Sequence, residues 1–299
     1  SVLASKANKD VIKNNPYIDK IYTNYKNNVF NDLPTLLKLR KKNFDVCIEL
    51  EHSVIPHAIF RLKIINPKKI ISIHKDGRYG VNGSELKLYD FFTKKDKTSH
   101  FSKIWLDTLT FFGIKPRSTS YDFFLSNTER DKAQSFLDSL GKKIKIGINT
   151  EGSFSQKSIQ KKELKKICIG LYNKFNNIQI IILASPKKLL EKTEMISSLG
   201  LDYVIPSYST ETIIEAAALI EQLDLIISPD TSLVHIASSF DKPIVSIHEN
   251  NEDSFRLWSP TSTLSKTIFA SSSYGLENYS VDDIVDSACD FLKIIEMKL

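Results

Sequence analysis

Short, β-rich apolar runs alternate with helix-length periodic segments through the second half of this sequence, and that rhythm admits few folds. Lys145–Asn149, Gln179–Ala184, Leu225–Ser228 and Pro243–His248 read as strands, and Lys161–Asn173, Lys187–Ser198, Thr210–Gln222 and Ser232–Phe240 read as helices. Strands that alternate with helices in this way predict a parallel sheet covered on both faces. The stretches IIILA and LIIS are apolar at consecutive positions, as expected of interior strands with no solvent-facing side.

The first half repeats the rhythm less cleanly. Val2–Ala4 reads as a strand running into a helix-like KANKDVIKNN, and because the chain opens on it at Ser1, a preceding segment is expected. Helices follow around Asp32–Lys41, Val54–Leu62 and His100–Phe112, with strands at Asp45–Leu50 and Lys69–Ile73. Gly113 supplies a helix stop, with Pro116 beyond it. Between Lys75 and Ser99 the sequence is polar and irregular, and its DGRYGVNGSE reads either as a long loop near a cleft or as a surface loop.

A chain of 299 residues exceeds the usual size of one core, so two domains are expected. The segment SLGKK at Ser139–Lys143 separates a helix from the next buried strand and places the division between 1–140 and 141–299. Near the end, Ile284, Ala288, Phe291 and Ile295 recur at helical spacing, so Val281–Met297 is expected to be an amphipathic helix able to pack on either domain.

Composition narrows the function classes. Hydrophobic residues make up 41% and charged residues 25%, which argues against extensive disorder, and no run approaches the roughly 20 apolar residues of a membrane span. Cys47, Cys168 and Cys289 are far apart in apolar surroundings, as buried free thiols are. Residues 1–140 carry 24 Lys and Arg against 15 Asp and Glu, whereas 141–299 carry 17 against 20. The basic half suits an anionic partner, a phosphorylated glycolipid or acidic membrane surface, or it is a lysine-rich solvated face. A nucleic-acid module is disfavoured, because the basic residues are spread out without interleaved aromatics.

The chemistry concentrates in SPDTSLVHIASSFDKPIVSIH, Ser228 to His248. A buried strand stops at Pro229, and Asp230-Thr231-Ser232 follows where strand hands over to helix. Parallel α/β sheets hold their ligands at such places, against helix N-termini whose N–H groups meet a phosphate. Thr231 or Ser232 is able to cap that helix, and His235 lies one turn later. On spacing alone the same residues also read as an N-cap pair and an interior histidine.

PDTSLVHIASSFDKPIVSIH resembles the Asp-Thr-Gly-x-x-His-x-Ala segment and following Lys-Pro strand of glycosyltransferase family 9, the ADP-heptose:lipopolysaccharide heptosyltransferases. NNPYIDKIY and KKNFDVCIEL resemble that family's Asn-Pro-x-Ile-Asp and Tyr-Asp-x-x-Ile-Asp-Leu stretches. The resemblance implies an α/β fold of the GT-B type, two Rossmann-like domains facing across a cleft, the first for the acceptor and the second for the nucleotide sugar. By the same resemblance, Asp230 lies beside the donor sugar, Thr231 faces the diphosphate, and His235 matches the family histidine. Ser232 stands where the family has glycine, which adds a Cβ near the donor. TEGSFSQKSIQKKEL matches a strand-loop-helix in which Lys157 neutralises donor phosphate, with Thr150 and Ser153 adding donors. Ser185-Pro186, at a further helix start, falls where the family holds base and ribose.

What the resemblance implies is transfer from a nucleotide sugar, used as substrate rather than cofactor, to a lipopolysaccharide or lipooligosaccharide core. Displacement inverts the anomeric centre without a metal, and the sequence has neither an Asp-x-Asp signature nor a His/Cys cluster at ligand spacing. The protein is then cytoplasmic, with peripheral contact at the inner membrane surface. The family's catalytic aspartate is expected in a strand-loop-helix ahead of Ser1. Glu49, Glu51 and His52, at the end of strand Asp45–Leu50, are the alternatives within the chain. Two other readings remain open: a nucleotide-sugar 2-epimerase of the same architecture, and a non-catalytic sugar-nucleotide-binding protein.

Overall fold

The computed structural model describes residues 1–24, 29–78 and 80–297. In chain order they form β1 (Val2–Ser5), β2 (Ile21–Asn24), α1 (Val29–Arg40), β3 (Val46–Glu49), α2 (Pro56–Ile65), β4 (Lys69–Ser72), β5 (Phe91–Phe92) and α3 (Phe101–Leu106). There follow α4 (Asn127–Asp138), β6 (Ile144–Asn149), α5 (Lys161–Lys174), β7 (Ile178–Leu183), α6 (Leu189–Ser197), β8 (Val204–Pro206) and α7 (Ile213–Gln222). The chain closes with β9 (Leu225–Pro229), α8 (Ser232–Ser239), β10 (Ile244–His248), α9 (Glu252–Trp258), β11 (Ser265–Phe269) and α10 (Val281–Glu296). Two compact units result, Ser1–Thr119 with Arg256–Trp258, and Ser120–Phe255 with Ser259–Leu299.

The second unit holds a parallel sheet in the order β8-β7-β6-β9-β10-β11. From β6 the chain moves outward through β7 to β8, then returns to the opposite side of β6 and moves outward again. Every residue of β7, β9 and β10 is buried, as apolar strands between two helix layers should be. Side chains alternate between those layers. Ile180 and Ile182 join Leu164 and Ile167 of α5 and Ile284 and Leu292 of α10, whereas Ile181 and Leu183 join Leu137 of α4, Ile220 of α7 and Val234 of α8. Gly147 of β6 sits where a Cβ would lie 2.5 Å from Leu223 Cδ1 and 3.0 Å from Ile226 Cδ1, so the close approach of this layer depends on its missing side chain.

The division into units falls at Thr119–Ser120, ahead of the expected Ser139–Lys143. The physical reason is α4, whose Ala133 and Leu137 are buried with α7 in the second unit's core. Gly141, at φ +73°, serves only the turn from α4 into β6. The terminal helix forms as expected and packs on α5 within the second unit, where a Cβ at Gly170 would lie 2.9 Å from Val285 Cγ2.

In the first unit β1 and β2 pair in parallel, and β3, β4 and β5 form a separate parallel sheet. The helix expected in KANKDVIKNN is a single 3-10 turn, Asp10–Ile12, with no buried residue to reward its extension. The helix expected from Val54 begins at Pro56, because proline holds the preceding Ile55 extended (φ −116°, ψ 114°), and it runs on to Ile65. His100–Phe112 divides into α3 and a 3-10 segment Asp107–Phe112 that stops at Gly113, φ +69°. The irregular stretch before it contains β5 and a 3-10 turn Gly83–Glu85 capped by Asn82; its Tyr79 lies outside the described residues. Cys168 and Cys289 are buried free thiols, and Cys47 is half-buried. Among the described residues no helix is long and apolar enough to cross a membrane.

Candidate functional site

At the centre of the six-stranded sheet, β6 and β9 are neighbours whose onward connections leave in opposite directions, which opens a crevice beyond their carboxyl ends. A cavity of about 480 Å³ occupies the carboxyl edge there. The ends of β6 and β9 bring Asn149, Glu151, Asp230, Thr231 and Ser232 to it. The end of β7 and the start of α7 bring Leu183, Ala184, Ser185, Ile213 and Ala216.

One side chain stitches the crevice. Asn149 Nδ2 donates to Ser228 Oγ (3.0 Å) and Thr231 Oγ1 (3.2 Å) across the β6–β9 boundary, and to the Glu151 carbonyl (3.0 Å). Thr231 adopts an extended conformation at the N-cap of α8, and its hydroxyl accepts from Leu233 N at 3.4 Å. Ser232 is then the first helical residue, exposed and on the cavity wall. Helical backbone carries a Cβ there without strain, so the departure from glycine leaves the amide end of α8 accessible.

Asp230 follows directly on β9. Burial pushes its carboxyl above the usual range, His235 and Lys157 pull it back, and Glu249 adds to the rise. His248 lies beneath, its Nδ1 3.9 Å from Asp230 Oδ2, and burial pushes the imidazole down to about 4. It is therefore neutral at pH 7, and the contact is not an ion pair. Lys157 is paired with Glu249, whose other carboxylate oxygen accepts the Gly275 N–H, and its ammonium lies 5.1 Å from the Phe154 ring centroid. His235 meets Tyr121 edge-on at 5.7 Å.

Of the residues expected at the donor, Asp230, Thr231, Ser232, Ser153 and Ser185 share the cavity wall, and Lys157 and His235 act on Asp230 through their charge. Thr150 does not belong with them. It is fully buried, off the cavity wall, and its carbonyl accepts Ile159 N at 3.0 Å to close the loop. Asn149, Glu151 and Glu249 escaped the sequence reading. Each lies at or just after the end of an apolar strand, the position that singled out Asp230.

In the first unit, Glu49 Oε2 pairs with the buried Lys75 ammonium and lies 3.5 Å from Tyr89 OH, Oε1 accepts from Glu51 N (2.9 Å), and the Glu49 carbonyl accepts from Ser72 Oγ (2.7 Å). The other carboxylate oxygen, Oε1, accepts only the Glu51 N–H among the described residues, so the pairing with Lys75 holds Glu49 in place on one side of the carboxylate. Lys75 also donates to the Glu51 carbonyl. His52 is exposed and meets Phe101 edge-on at 5.9 Å.

The family model described as glycosyltransferase family 9 (heptosyltransferase) matches residues 36–275. The chain belongs to glycosyltransferase family 9. A putative lipopolysaccharide heptosyltransferase 4 of Escherichia coli K12 is 27% identical over 213 residues, which is 67% of this chain; the chain thus spans about half that curated relative, 55% of its length. A glycosyl transferase family 9 structure from Veillonella parvula superposes with TM-score 0.81 at 17% identity, covering 97% of this chain and 87% of that one. The E. coli heptosyltransferase WaaC with ADP gives TM-score 0.71 at 13% identity, covering 97% and 89%. These likenesses establish the α/β fold of the GT-B heptosyltransferases for this family 9 member.

Proposed function

We propose that this chain is a glycosyltransferase that moves heptose from ADP-heptose to a lipopolysaccharide or lipooligosaccharide core acceptor. The observation that carries the reading is the cavity at the β6–β9 crevice, where the amide end of α8 offers N–H groups to an anion and the β7–α7 side offers an apolar wall. That pairing suits a nucleoside diphosphate, and a family 9 relative has been solved with ADP.

The donor half of the chemistry follows from the groups present. Departure of the diphosphate leaves negative charge beside α8 and Lys157, which stabilise it more than they stabilise the intact donor. Lys157 is held ready by Glu249. Asp230, whose burial disfavours its ionised form, faces the sugar rather than the phosphates, where like charges would repel. The reaction on this reading inverts the anomeric centre, with the donor as substrate, no separate cofactor and no metal.

The acceptor falls to the first unit, whose residues 1–119 carry 22 Lys and Arg against 11 Asp and Glu. A phosphorylated glycolipid at the inner, cytoplasmic membrane face matches that charge. The test is thermal stabilisation of the whole chain by a panel of ADP-, UDP- and GDP-sugars. ADP-heptose should raise Tm selectively, and Asp230→Ala should lose most of the rise. No shift from any sugar nucleotide would sink the donor reading.

A further inference from the structure

Tyr274, on the loop after β11, is an aromatic side chain that the donor reading leaves unused. It is 68% exposed, yet it does not stand alone: its ring stacks on Phe154, with 5.3 Å between centroids and 26° between planes. Single exposed aromatics are ordinary on protein surfaces. A stacked pair held at a set angle is a flat apolar face kept in water.

The backbone that presents this face is fixed from several directions. Gly275 takes φ +88°, a left-handed turn, and a Cβ there would lie 3.3 Å from both Cβ and the carbonyl oxygen of Gln156. Its N–H goes to Glu249, while Leu276 N donates to the Gln156 carbonyl and Asn250 N to the Ser272 carbonyl, each at 2.8 Å. Ser272 Oγ accepts the Tyr274 N–H at 3.1 Å and donates to its carbonyl at 2.8 Å. The loop is thus ordered before any ligand arrives, so a contact on its ring costs little further entropy. Other exposed side chains on the two loops are hydroxyls and amides: Ser155, Gln156, Ser273 and Asn278. A sugar ring matches that combination, since its C–H bonds suit the negative face of an aromatic and its hydroxyls suit polar neighbours.

Strand order says which sugar comes there. The donor cavity lies beyond the ends of β7, β6 and β9, and β10 and β11 follow on the far side of β9. Tyr274 follows β11 and its loop is tied to Glu249 after β10, while Ser153, the neighbour of Phe154, is on the cavity wall. Displacement with inversion brings the incoming hydroxyl from the side opposite the departing diphosphate. With the nucleoside towards β7 and the transferred sugar at Asp230, that side is the β10–β11 side.

Resting on the donor reading, we propose that Phe154 and Tyr274 form a stacking platform for a sugar ring of the acceptor saccharide. The platform positions that saccharide and takes no part in moving protons or charge.

Calorimetric titration of the whole chain with a deacylated lipooligosaccharide core, with and without ADP, tests this in the wild type, Tyr274→Ala and Tyr274→Phe. Tyr274→Ala should weaken the oligosaccharide about three- to tenfold, the range of an aromatic stacking contact, and Tyr274→Phe, which keeps the ring, should stay within about twofold of wild type. The rise in Tm with ADP-heptose should be the same in all three proteins, and melting curves without ligand establish that both variants fold. Equal oligosaccharide affinity in Tyr274→Ala and wild type overturns the platform. So does loss of the ADP-heptose response in Tyr274→Ala, which would make the ring a support of the donor loop. An oligosaccharide that does not bind the wild-type chain while ADP-heptose raises its Tm overturns the platform and leaves the donor reading standing. Ring-dependent oligosaccharide binding by a chain that no sugar nucleotide stabilises keeps the platform and sinks the donor reading, and failure of both ligands sinks both.

Discussion

At the scale of single residues, two titrating groups separate binding from stability. The Asp230 carboxyl is raised by burial, so the native state holds its proton more tightly than the unfolded chain does. Its favourable contribution is present below the ordinary carboxylate range and lost as pH rises through the folded value. Asp230→Asn should therefore melt higher than wild type at pH 7, with the gap closing in acid, while donor-induced stabilisation falls. His248 works in the opposite sense. With its value pushed down from 6.5 to about 4, it resists a proton that the unfolded chain accepts, so stability drains away as pH falls between those values, by about 3 kcal/mol at most. His248→Phe, packed against Phe255 and Phe269, should flatten that part of the profile in urea titrations at pH 7 and pH 4.5. The sequence displayed Asp230 and Thr231 because both follow an apolar strand at a helix start. It hid that Thr150 is fully buried off the cavity wall, since one residue of register decides between cavity and interior, and that Glu49 is paired with Lys75, a partner 26 residues away.

Elements show what was legible and why. The buried strands β6, β7, β9 and β10 and the helices between them were readable because nothing but a two-faced parallel sheet accommodates such runs. The three-residue β8 and the two-residue β5 were not, since they owe their form to a neighbour's ladder rather than to any period of their own. The domain boundary was misplaced because α4 looks the same in sequence whichever core it joins. Packing supplies three checks. Gly147→Ala should cost about 1–3 kcal/mol in chemical denaturation, with Leu223 displaced. Thr231→Ala removes the α8 cap and an acceptor of Asn149, and should cost about 1 kcal/mol while lowering nucleotide affinity. Asp32, 1% exposed, receives both Nε and an Nη of Arg61 between α1 and α2, so Asp32→Ala should cost about 3–5 kcal/mol by removing one side of this buried ion pair.

For the whole molecule, the excess positive charge of the first 119 residues predicts salt-sensitive attachment to acidic lipid. The chain should sediment with anionic vesicles at about 0.05 M salt, leave them near 0.5 M, where screening is several times shorter-ranged, and ignore neutral vesicles. The order of strands in the larger sheet also sets a timetable. Asn149 and Ser228, joined across its middle, are 79 residues apart in sequence, so the β6–β9 crevice closes over a long loop. A growing chain makes β6, β7 and β8 first, and β6 waits with an open, isoleucine-rich edge until β9 has emerged. Any truncation before Leu225 leaves that edge permanently available to another chain, and aggregation rather than a soluble half-site is the expected fate.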